Sequence, residues 1–254
     1  MKKLIKYICL FGVLIFVACS IEEETSSSNN VENTKPNILL IIADDMGLDS
    51  SPGYSVGELK PVVPNLTSLL SSGLKFNNFW SNPVCSPTRS TILTGKYGFR
   101  TGVLSAGDNL SSSETSIFNL LNERASEYSH ALIGKWHLSN NPSQPTEMGA
   151  GYFAGLLSGG VKSYYNWNLI QNGQTAKTTS YATSKFTDLA IDWTAAQSKP
   201  WFLWLAYNAP HSPFHLPPSE LHNQGNLPND SASIEANPLP YYLAMIEAMD
   251  SEIG

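Results

Sequence analysis

The chain contains few cysteines and few charged residues. Of its three cysteines, Cys9 and Cys19 both lie within the first twenty positions, which leaves Cys85 without a partner for an intrachain disulfide. Charged residues make up 14% of the 254 residues and the formal net charge is −6, so the sequence lacks the basic excess of a nucleic-acid-binding protein. We therefore expect no nucleic-acid partner, and the isolated cysteine needs another explanation.

A long hydrophobic run is also lacking. The apolar segment behind the N-terminal lysines stops at Cys19 and is shorter than the ~20 residues that cross a bilayer, so residues 1–19 are predicted to be a secretory signal peptide. Its end, FVAC, resembles a bacterial lipobox, with Phe16 in place of the usual Leu, and this resemblance implies a lipid anchor on Cys19. Ordinary signal cleavage is the alternative. In either case we expect export to the periplasm or the cell surface.

The rest of the sequence predicts a tether followed by one α/β domain. Residues 20–35 are rich in Ser, Asn and Glu and predict a flexible tether, whereas 36–254 alternate short apolar runs with helix-like segments. A helix is predicted at 65–72, with Gly73 as its C-cap. Strands are predicted at 37–43, 74–80, 130–136 and 201–208, the first of them buried on both faces because it is continuously apolar.

Polar residues follow each predicted strand. These ends carry Asp44 and Asp45, then NPVCSPTR (82–89), GKWH (134–137) and NAPHSPFH (208–215). Taken singly, an Asp pair is usually a turn or a helix cap, and a histidine is usually a satisfied surface or core group. Ligands bind beyond the carboxyl ends of strands in open α/β sheets, so the four ends together indicate a functional site.

The segment CSPTRSTILTG, residues 85–95, resembles the sulfatase signature: Cys, any residue, Pro, any residue, Arg, and a Thr-Gly ending. Further segments resemble sulfatases in the family's order, namely KPNILLIIADDMG, PNLTSLLSSGLKFNNFW, TGKYGFRTG, LIGKWHL, LAYNAPHSPFHLP and YYLAMIEAMDSEIG. This resemblance spans nearly the whole chain after Pro36. It implies an alkaline-phosphatase-like α/β sandwich with a central, mostly parallel sheet between helices. It also implies that a separate maturation enzyme oxidises Cys85 to formylglycine, which would explain its isolation.

The chemistry of a sulfate ester requires these residue types independently of the resemblance. Its negative charge is spread over hard oxygens, so hydrolysis needs a hard cation, fixed cationic donors, a nucleophile and an acid for the leaving alcohol. Asp44 and Asp45 carry carboxylate oxygens suited to Ca²⁺. Pro87 suits the first turn of a helix with Ser86 near its cap, which would place residue 85 beside free backbone N–H groups that favour an anion.

The resemblance implies a role for each candidate residue. The hydrated formylglycine made from Cys85 would share Ca²⁺ with Asp44 and Asp45, form a sulfate ester through one hydroxyl, and expel sulfate when the other loses its proton. An extended segment would place His137 on the same side as Lys135. The other expected roles are diol positioning by Arg89, sulfate binding by Lys135, diol hydrogen bonding by His137, protonation of the leaving oxygen by His211 and indirect support from His215.

One departure from the family pattern concerns the C-terminal end. In sulfatases, the helix that resembles residues 241–254 leads into a strand ending in an Asp-Asn pair, which completes the metal site, and a later lysine contacts sulfate. This sequence stops at Gly254, before either feature. We therefore expect an N-terminal portion, or fragment, of a longer enzyme, with an incomplete sheet and an incomplete metal shell.

Two other functions remain open. Asp pairs, histidines and a strand-end nucleophile also serve phosphoryl transfer, so a phosphate or phosphonate ester hydrolase of the same superfamily is one, and an inactive truncated surface lipoprotein is the other. The Thr-Arg and GKWH contexts favour sulfate. A sulfated small molecule or polysaccharide is the expected substrate. The aromatic residues of 151–173 could line a sugar subsite or pack in the core, among them Tyr164, Tyr165 and Trp167.

Overall fold

The computed structural model describes residues 35–254. The predicted signal peptide at 1–19, with Cys19, and nearly all of the predicted tether at 20–35 lie outside the described residues. Within the described range, none of the helices combines the length with the apolar composition needed for a bilayer span.

One six-stranded sheet forms the centre of the domain. Its strands in chain order are β1 (Ile38–Asp44), β2 (Ser129–Lys135), β3 (Tyr152–Leu156), β4 (Trp167–Gln171), β5 (Gln174–Thr178) and β6 (Trp201–Pro210). The spatial order is β1-β6-β2-β3-β4-β5, in which the pairs from β1 to β3 are parallel and the last two pairs are antiparallel. The prediction of an α/β fold with a mostly parallel sheet is confirmed.

Helices occupy the connections between the strands. They are α1 (Pro64–Ser72), α2 (Cys85–Thr94), α3 (Gly98–Thr101), α4 (Ile117–Arg124), α5 (Gln144–Glu147), α6 (Ala182–Ala195), α7 (Ser231–Ala236) and α8 (Leu239–Ile253), with a 3₁₀ turn at Ser219–Leu221. Helix α1 confirms the helix predicted at 65–72, and α8 contains nearly all of the segment whose family counterpart is helical. Gly73 stands at the C-cap of α1, in an extended conformation.

The two faces of the sheet carry separate hydrophobic clusters. Ile133 of β2 belongs to the cluster covered by α6 and α8, with Phe186 and Met245, and its neighbour Leu132 belongs to the cluster on the other face, with Phe118 of α4. All five side chains are at most 2% exposed. Successive residues of a strand point to opposite faces, so a central parallel strand covered on both sides reads as a continuous apolar run.

Three of the predicted strands are found. The strand predicted at 37–43 is β1, that at 130–136 is β2, and that at 201–208 is β6. The expectation that the first is buried on both faces is wrong, because Ile38 and Leu39 are 43% and 49% exposed. Strand β1 stands at the end of the sheet and pairs only with β6 within residues 35–254. Edge position, which composition does not encode, accounts for the exposure.

The strand predicted at 74–80 is wrong. This segment is irregular, and its side chains Phe76, Phe79 and Trp80 are 70%, 82% and 87% exposed. Apolar and aromatic side chains favour a strand, but a strand also needs a neighbouring backbone to complete its hydrogen bonds. No strand of the described residues runs beside this segment.

Two buried carboxylates of α8 hold the segment around α1 in place. Asp250 accepts hydrogen bonds from the backbone N–H groups of Asn65 and Leu66 at 3.1 and 2.7 Å, which satisfies donors in the first turn of α1. Glu247 accepts one from the N–H of Val62 at 2.8 Å. The C-terminal helix is thereby tied to the segment that follows β1.

Candidate active site

Four of the predicted site residues lie at the carboxyl ends of β1, β2 and β6. Asp44 ends β1 and lies opposite Pro210, the last residue of β6, and Lys135 ends β2. His211 follows directly after β6, and His137 stands two residues after the end of β2. Because these three strands are parallel neighbours, their ends fall at one edge of the sheet, as the sequence predicts.

A glycine precedes Lys135 for a steric reason. Gly134 has φ +111°, and a Cβ there would lie 1.9 Å from the carbonyl oxygen of Ala206 on the adjacent strand. Only glycine permits this close approach of β2 to β6. The Gly-Lys pair in GKWH therefore reflects packing of the sheet just before the site.

Cys85 reaches the same edge from helix α2. It is the first residue of the helix, its N-cap Val84 makes no side-chain capping bond, and Pro87 lies in the first turn as predicted. Cys85 lines a cavity of about 200 Å³ whose polar walls include Asp44, Asp45 and Arg89. The uncapped N–H groups and the positive end of the helix dipole favour an anion beside Cys85.

Asp44 is held between two cations. It is 4% exposed, its Oδ1 lies 3.2 Å from Arg89 Nη2, and its Oδ2 accepts a hydrogen bond from Lys135 Nζ. Arg89 Nη1 also donates to the carbonyl oxygen of Lys135 at 2.7 Å. Burial lowers the pKa of Lys135, and the charge of Asp44 opposes that shift. Two cations beside one carboxylate leave a net positive cluster, which we call the buried charge cluster, next to Cys85.

His137 is the side chain that contacts Cys85. Its Nδ1 lies 3.1 Å from Cys85 Sγ. The sequence predicts His137 on the same side as Lys135 only for an extended segment, and the segment is not extended, since His137 has φ 54° and the chain turns there. Ser86 stabilises this turn, because its Oγ donates to the His137 carbonyl at 2.9 Å and accepts from the N–H of Gly107 at 2.9 Å. The His137 side chain therefore reaches Cys85 from a left-handed turn and not from an extended strand.

The surroundings of His137 favour its neutral form. Burial lowers its pKa to about 4, and the positive charges of Lys135 and Arg89 act in the same direction. At neutral pH the ring therefore carries one proton and one free lone pair. It can hydrogen-bond a hydroxyl at residue 85 either as donor or as acceptor.

Asp45 and His211 form the exposed side of the site. Asp45 has φ 65°, and its carboxylate Oδ2 lies 3.6 Å from His211 Nε2. His211 Nδ1 lies 2.7 Å from the carbonyl oxygen of Ser212, so a neutral His211 keeps its proton on Nδ1. His211 Nε2 therefore faces the Asp45 carboxylate, and Asp45 in turn lines the cavity. Tyr242 of α8 fixes this turn, because its hydroxyl donates to the Asp45 carbonyl at 3.0 Å.

His215 lies behind His211, in an aromatic cluster. Its ring stacks on Tyr164 with centroids 4.1 Å apart, and its Nε2 lies 3.2 Å from the Tyr181 hydroxyl. Burial lowers the pKa of His215 to about 4. The hydroxyl of Tyr164 in turn lies 2.6 Å from the carbonyl oxygen of His211. His215 thus supports the His211 segment through Tyr164, without lining the cavity beside Cys85.

Sequence reasoning missed three supporting residues, Ser86 in its observed role, Tyr164 and Tyr242. Ser86 lies near the helix cap as expected, and its side chain also bridges two loops, which was not expected. Tyr242 acts across 195 residues of chain by accepting a hydrogen bond from Gly47 N–H at 2.8 Å. The position of Ser86 inside the CSPTRSTILTG segment is a signal that could have indicated a role, whereas no residue near Tyr242 in the sequence indicates a contact with Asp45.

The described residues supply the right donor chemistry for Ca²⁺ but too few donors. Asp44 and Asp45 present hard carboxylate oxygens, but the Asp44 carboxylate already faces two cations. Across residues 35–254, no group of three or more His, Cys, Asp or Glu side chains is arranged to hold a metal ion. Ca²⁺ takes about six to eight oxygens, so these residues alone do not complete its shell.

The surroundings of Cys85 are polar and open to a ligand. The side chain is partly exposed at the 200 Å³ cavity, and it is the one free cysteine of the described residues. A hydroxyl in place of the sulfur would find His137 Nδ1 as a hydrogen-bond partner. A carboxylate cavity wall and a helix N-terminus would meet the second hydroxyl and a bound anion.

Comparison with known proteins places the chain in a family. The sequence model described as Sulfatase matches residues 36–254. Arylsulfatase J of Mus musculus is 30% identical over 218 residues, covering 77% of this chain and 36% of the relative. The N-acetylglucosamine-6-O-sulfatase of Bacteroides thetaiotaomicron is 28% identical over 195 residues, covering 73% of this chain and 33% of the relative.

Solved structures show the same fold. The crystal structure of Ps i-CgsB in complex with k-i-k-neocarrahexaose has a TM-score of 0.70 and 28% identity, over 87% of this chain and 54% of that one. The six-stranded sheet between helices is thus the alkaline-phosphatase-like arrangement of its sulfatase neighbours. The chain spans between 33% and 54% of the length of these three relatives.

Proposed function

The chain belongs to the sulfatase family, and from that premise we propose that it hydrolyses sulfate esters with residue 85 as the nucleophile. One contact carries this proposal, that between Cys85 Sγ and His137 Nδ1. It lies beside the buried charge cluster of Asp44, Arg89 and Lys135. It joins a nucleophile, a proton acceptor and anion-binding cations at one cavity. Those are the groups that transfer of an anionic sulfuryl group requires.

Residue 85 supplies its chemistry after conversion of Cys85 to formylglycine by a separate maturation enzyme. The hydrated aldehyde carries two hydroxyls. One attacks sulfur while the substrate alcohol leaves with a proton; the other then loses its proton, the carbon–oxygen double bond reforms and sulfate departs. A thiol has no second hydroxyl and could not complete the second half.

The surrounding side chains divide the remaining work. His137 holds a residue-85 hydroxyl and receives its proton, and a bound anion would raise the pKa of His137 from about 4 toward a useful range. Arg89 fixes Asp44 and the end of β2, Lys135 adds buried positive charge behind Asp44, and the N-terminus of α2 stabilises charge on the sulfate oxygens. His211, which is partly exposed beside Asp45, protonates the leaving oxygen.

The proposal includes a Ca²⁺ site at Asp44 and Asp45, shared with residue 85. The ion would supply a hard Lewis acid for the sulfate oxygens. The two carboxylates would provide part of its shell, and other oxygens would have to come from water or from groups outside residues 35–254. No step above is assigned to the metal.

Sulfated carbohydrate is the proposed substrate class. The relative from Bacteroides thetaiotaomicron is named as an N-acetylglucosamine-6-O-sulfatase, and the Ps i-CgsB structure is a complex with k-i-k-neocarrahexaose. An exported protein would meet such polymers, and the signal and lipobox patterns at residues 1–19 support export with a lipid anchor on Cys19. Acyl labelling that persists in a Cys19→Ala variant would contradict the anchor.

The central test is the chemistry at residue 85. Protein made in a host with the maturation enzyme should yield a tryptic peptide 76–89 with the mass of formylglycine. It should also release sulfate from 4-nitrophenyl sulfate. The Cys85→Ala variant should keep its melting temperature and lose about 10⁴-fold or more in kcat, because the covalent nucleophile is gone. Thr94→Ala, in the last turn of the same helix, is the matched control and should retain activity.

The same assay separates the alternatives. Faster release of phosphate than sulfate from the paired nitrophenyl esters would favour the phosphate or phosphonate hydrolase. A quantitative free thiol at residue 85 in protein with full sulfatase activity would overturn the mechanism. A free thiol with no hydrolysis of either ester, despite the maturation enzyme, would favour the inactive surface lipoprotein.

A further inference from the structure

A large cavity lies beside the candidate active site, along β4. Its volume is about 650 Å³, and its walls come mainly from the segment between β3 and β4, from β4 itself and from β5. Two lysines, Lys162 and Lys177, line it together with the amides of Asn140, Asn166 and Asn168. We call this cavity the lysine groove. The mechanism proposed above uses none of these residues.

The lysine groove is connected to the catalytic histidines by one short loop. A second cavity of about 150 Å³ is lined by His137 and shares Asn140, Leu157 and Ser158 with the groove. In the same loop, a Cβ at residue 159 would lie 2.7 Å from the His137 ring, and one at residue 160 would lie 3.3 Å from the His211 ring. A ligand held at residue 85 could therefore extend past this loop into the groove.

The charge of the groove is unusual for this protein. The chain as a whole has a formal net charge of −6. Lys162 and Lys177 are both exposed, and the ion pairs found within residues 35–254 involve other side chains. Two cations that face a cavity without a carboxylate partner attract an anionic ligand.

The other walls suit a sugar that carries the anion. Amide side chains offer both donors and acceptors to hydroxyl groups, so the three asparagines can bind a polyol. Ile170 of β4 also lines the groove, is 8% exposed, and lies on the same face of the strand as Asn168, two residues before it. Ile170 therefore gives the groove an apolar base. Polar walls over an apolar floor are typical of small-molecule sites.

We propose that the lysine groove binds a second anionic group, a sulfate or a carboxylate, on a sugar unit next to the one whose ester lies at residue 85. The inference rests on the proposed function and narrows its substrate class to multiply charged oligosaccharides. Lys162 and Lys177 are specificity-determining residues in this proposal. They bind a part of the substrate that does not react.

Binding measurements test the proposal without requiring turnover. The Cys85→Ala chain is titrated calorimetrically with a multiply sulfated carrageenan hexasaccharide and with its desulfated form. The Lys162→Gln, Lys177→Gln double variant should weaken binding of the sulfated form about tenfold, because two charge-assisted contacts are lost. The slope of log Kd against log salt should become shallower. Binding of the desulfated form should be weak and unchanged.

A charge-matched control separates the groove from net charge. The Arg124→Gln, Lys199→Gln double variant makes the same charge change at exposed positions near the opposite, amino-terminal edge of the sheet. Its affinity for the sulfated hexasaccharide should equal that of the parent. Equal affinities of the two double variants, or no binding of the sulfated form by the parent, would overturn the proposal.

A small substrate separates this inference from the function it rests on. Hydrolysis of 4-nitrophenyl sulfate, which has a single sulfate and no second sugar, should be unaffected by the lysine substitutions in protein that retains residue 85. If the chain fails to hydrolyse this ester but its hexasaccharide affinity still depends on both lysines, the catalytic proposal fails and the lysine groove stands. A kcat/KM loss on 4-nitrophenyl sulfate equal to that on the hexasaccharide would contradict a role confined to the second anion.

Discussion

Arg89 and Lys135 are buried and fixed by Asp44, whereas Lys162 and Lys177 are exposed along the lysine groove. Arg89 and Lys135 are 2% and 0% exposed, and each is held by contacts that a ligand cannot replace without breaking a buried ion pair. The groove lysines have no ion-pair partner among residues 35–254, and their side chains are long and flexible. The same charge is therefore rigid at one place and adaptable at the other.

The difference matches two requirements of a hydrolase for charged polymers. The reacting group is always a sulfate ester, and its charge is best met by donors fixed in advance, since preorganised charge needs no rearrangement during the reaction. The flanking sugars vary in the position of their anions, and a long, solvated lysine can follow them. Burial also makes the two places respond differently to substitution.

Removal of the Asp44 charge should produce the largest effect on stability. Asp44→Asn leaves Arg89 and Lys135 buried without a counter-charge, which should lower the free energy of unfolding by about 3–5 kcal/mol in urea denaturation with EDTA present. The control is Glu114→Gln, which removes the partner of the exposed Lys96 and should cost less than about 1 kcal/mol. Equal costs for the two variants would break the comparison between buried and exposed charge.

Much of the fold could be predicted because its central strands have a clear signal. Strands β2 and β6 are apolar on both faces and lie between other strands, so composition and environment agree. Strand β5 has the sequence QTAKT, all of it partly or fully exposed, and no apolar pattern marks it. It is held by pairing with β4, a property of two segments that neither reveals alone.

The errors have the same cause. Segment 74–80 has strand-forming side chains but pairs with no strand in residues 35–254, and β1, which was predicted to be buried on both faces, stands at the end of the sheet with one neighbouring strand. Local sequence reports which side chains favour a strand, and not how many partners the sheet provides. Edge exposure and missing pairs follow from topology.

The candidate site could be located from sequence because parallel strands bring their carboxyl ends together. That rule placed Asp44, Lys135 and His211 at one edge of the sheet. It could not give the ion pair between Lys135 and Asp44 or the left-handed turn at His137, since both depend on packing between distant segments. The roles predicted for the site residues remain to be tested by substitution.

Ca²⁺ titration extends the comparison of buried and exposed charges to two carboxylates, Asp44 and Asp45. Asp44 is already neutralised by two cations and Asp45 is the more accessible ligand, so the chain should bind Ca²⁺ weakly, with Kd about 1 mM or higher. Asp45→Asn should weaken binding about tenfold further, measured by calorimetry. Asp230→Asn is the matched control, because it removes the same charge from the N-cap of α7, where Asn also caps, and should leave Kd unchanged. Micromolar binding that survives loss of Asp45 would mean that the ion is held by other groups.

The smallest expected effect concerns a buried ionisable group outside the site, His130. It is 5% exposed, its Nε2 lies 2.9 Å from Asn122 Oδ1, and its Nδ1 accepts a hydrogen bond from Gly151 N–H at 3.0 Å. Burial lowers the pKa of His130, so the unfolded chain, with a histidine pKa of about 6.5, binds the proton more readily. The stabilisation from neutral His130 is therefore fully present above pH ~6.5 and is lost progressively as the pH falls. His130→Gln can keep both hydrogen bonds and cannot titrate, so its melting temperature should fall between pH 7 and pH 5 by a few degrees less than that of the parent. Identical pH slopes for parent and variant would show that burial does not control this group.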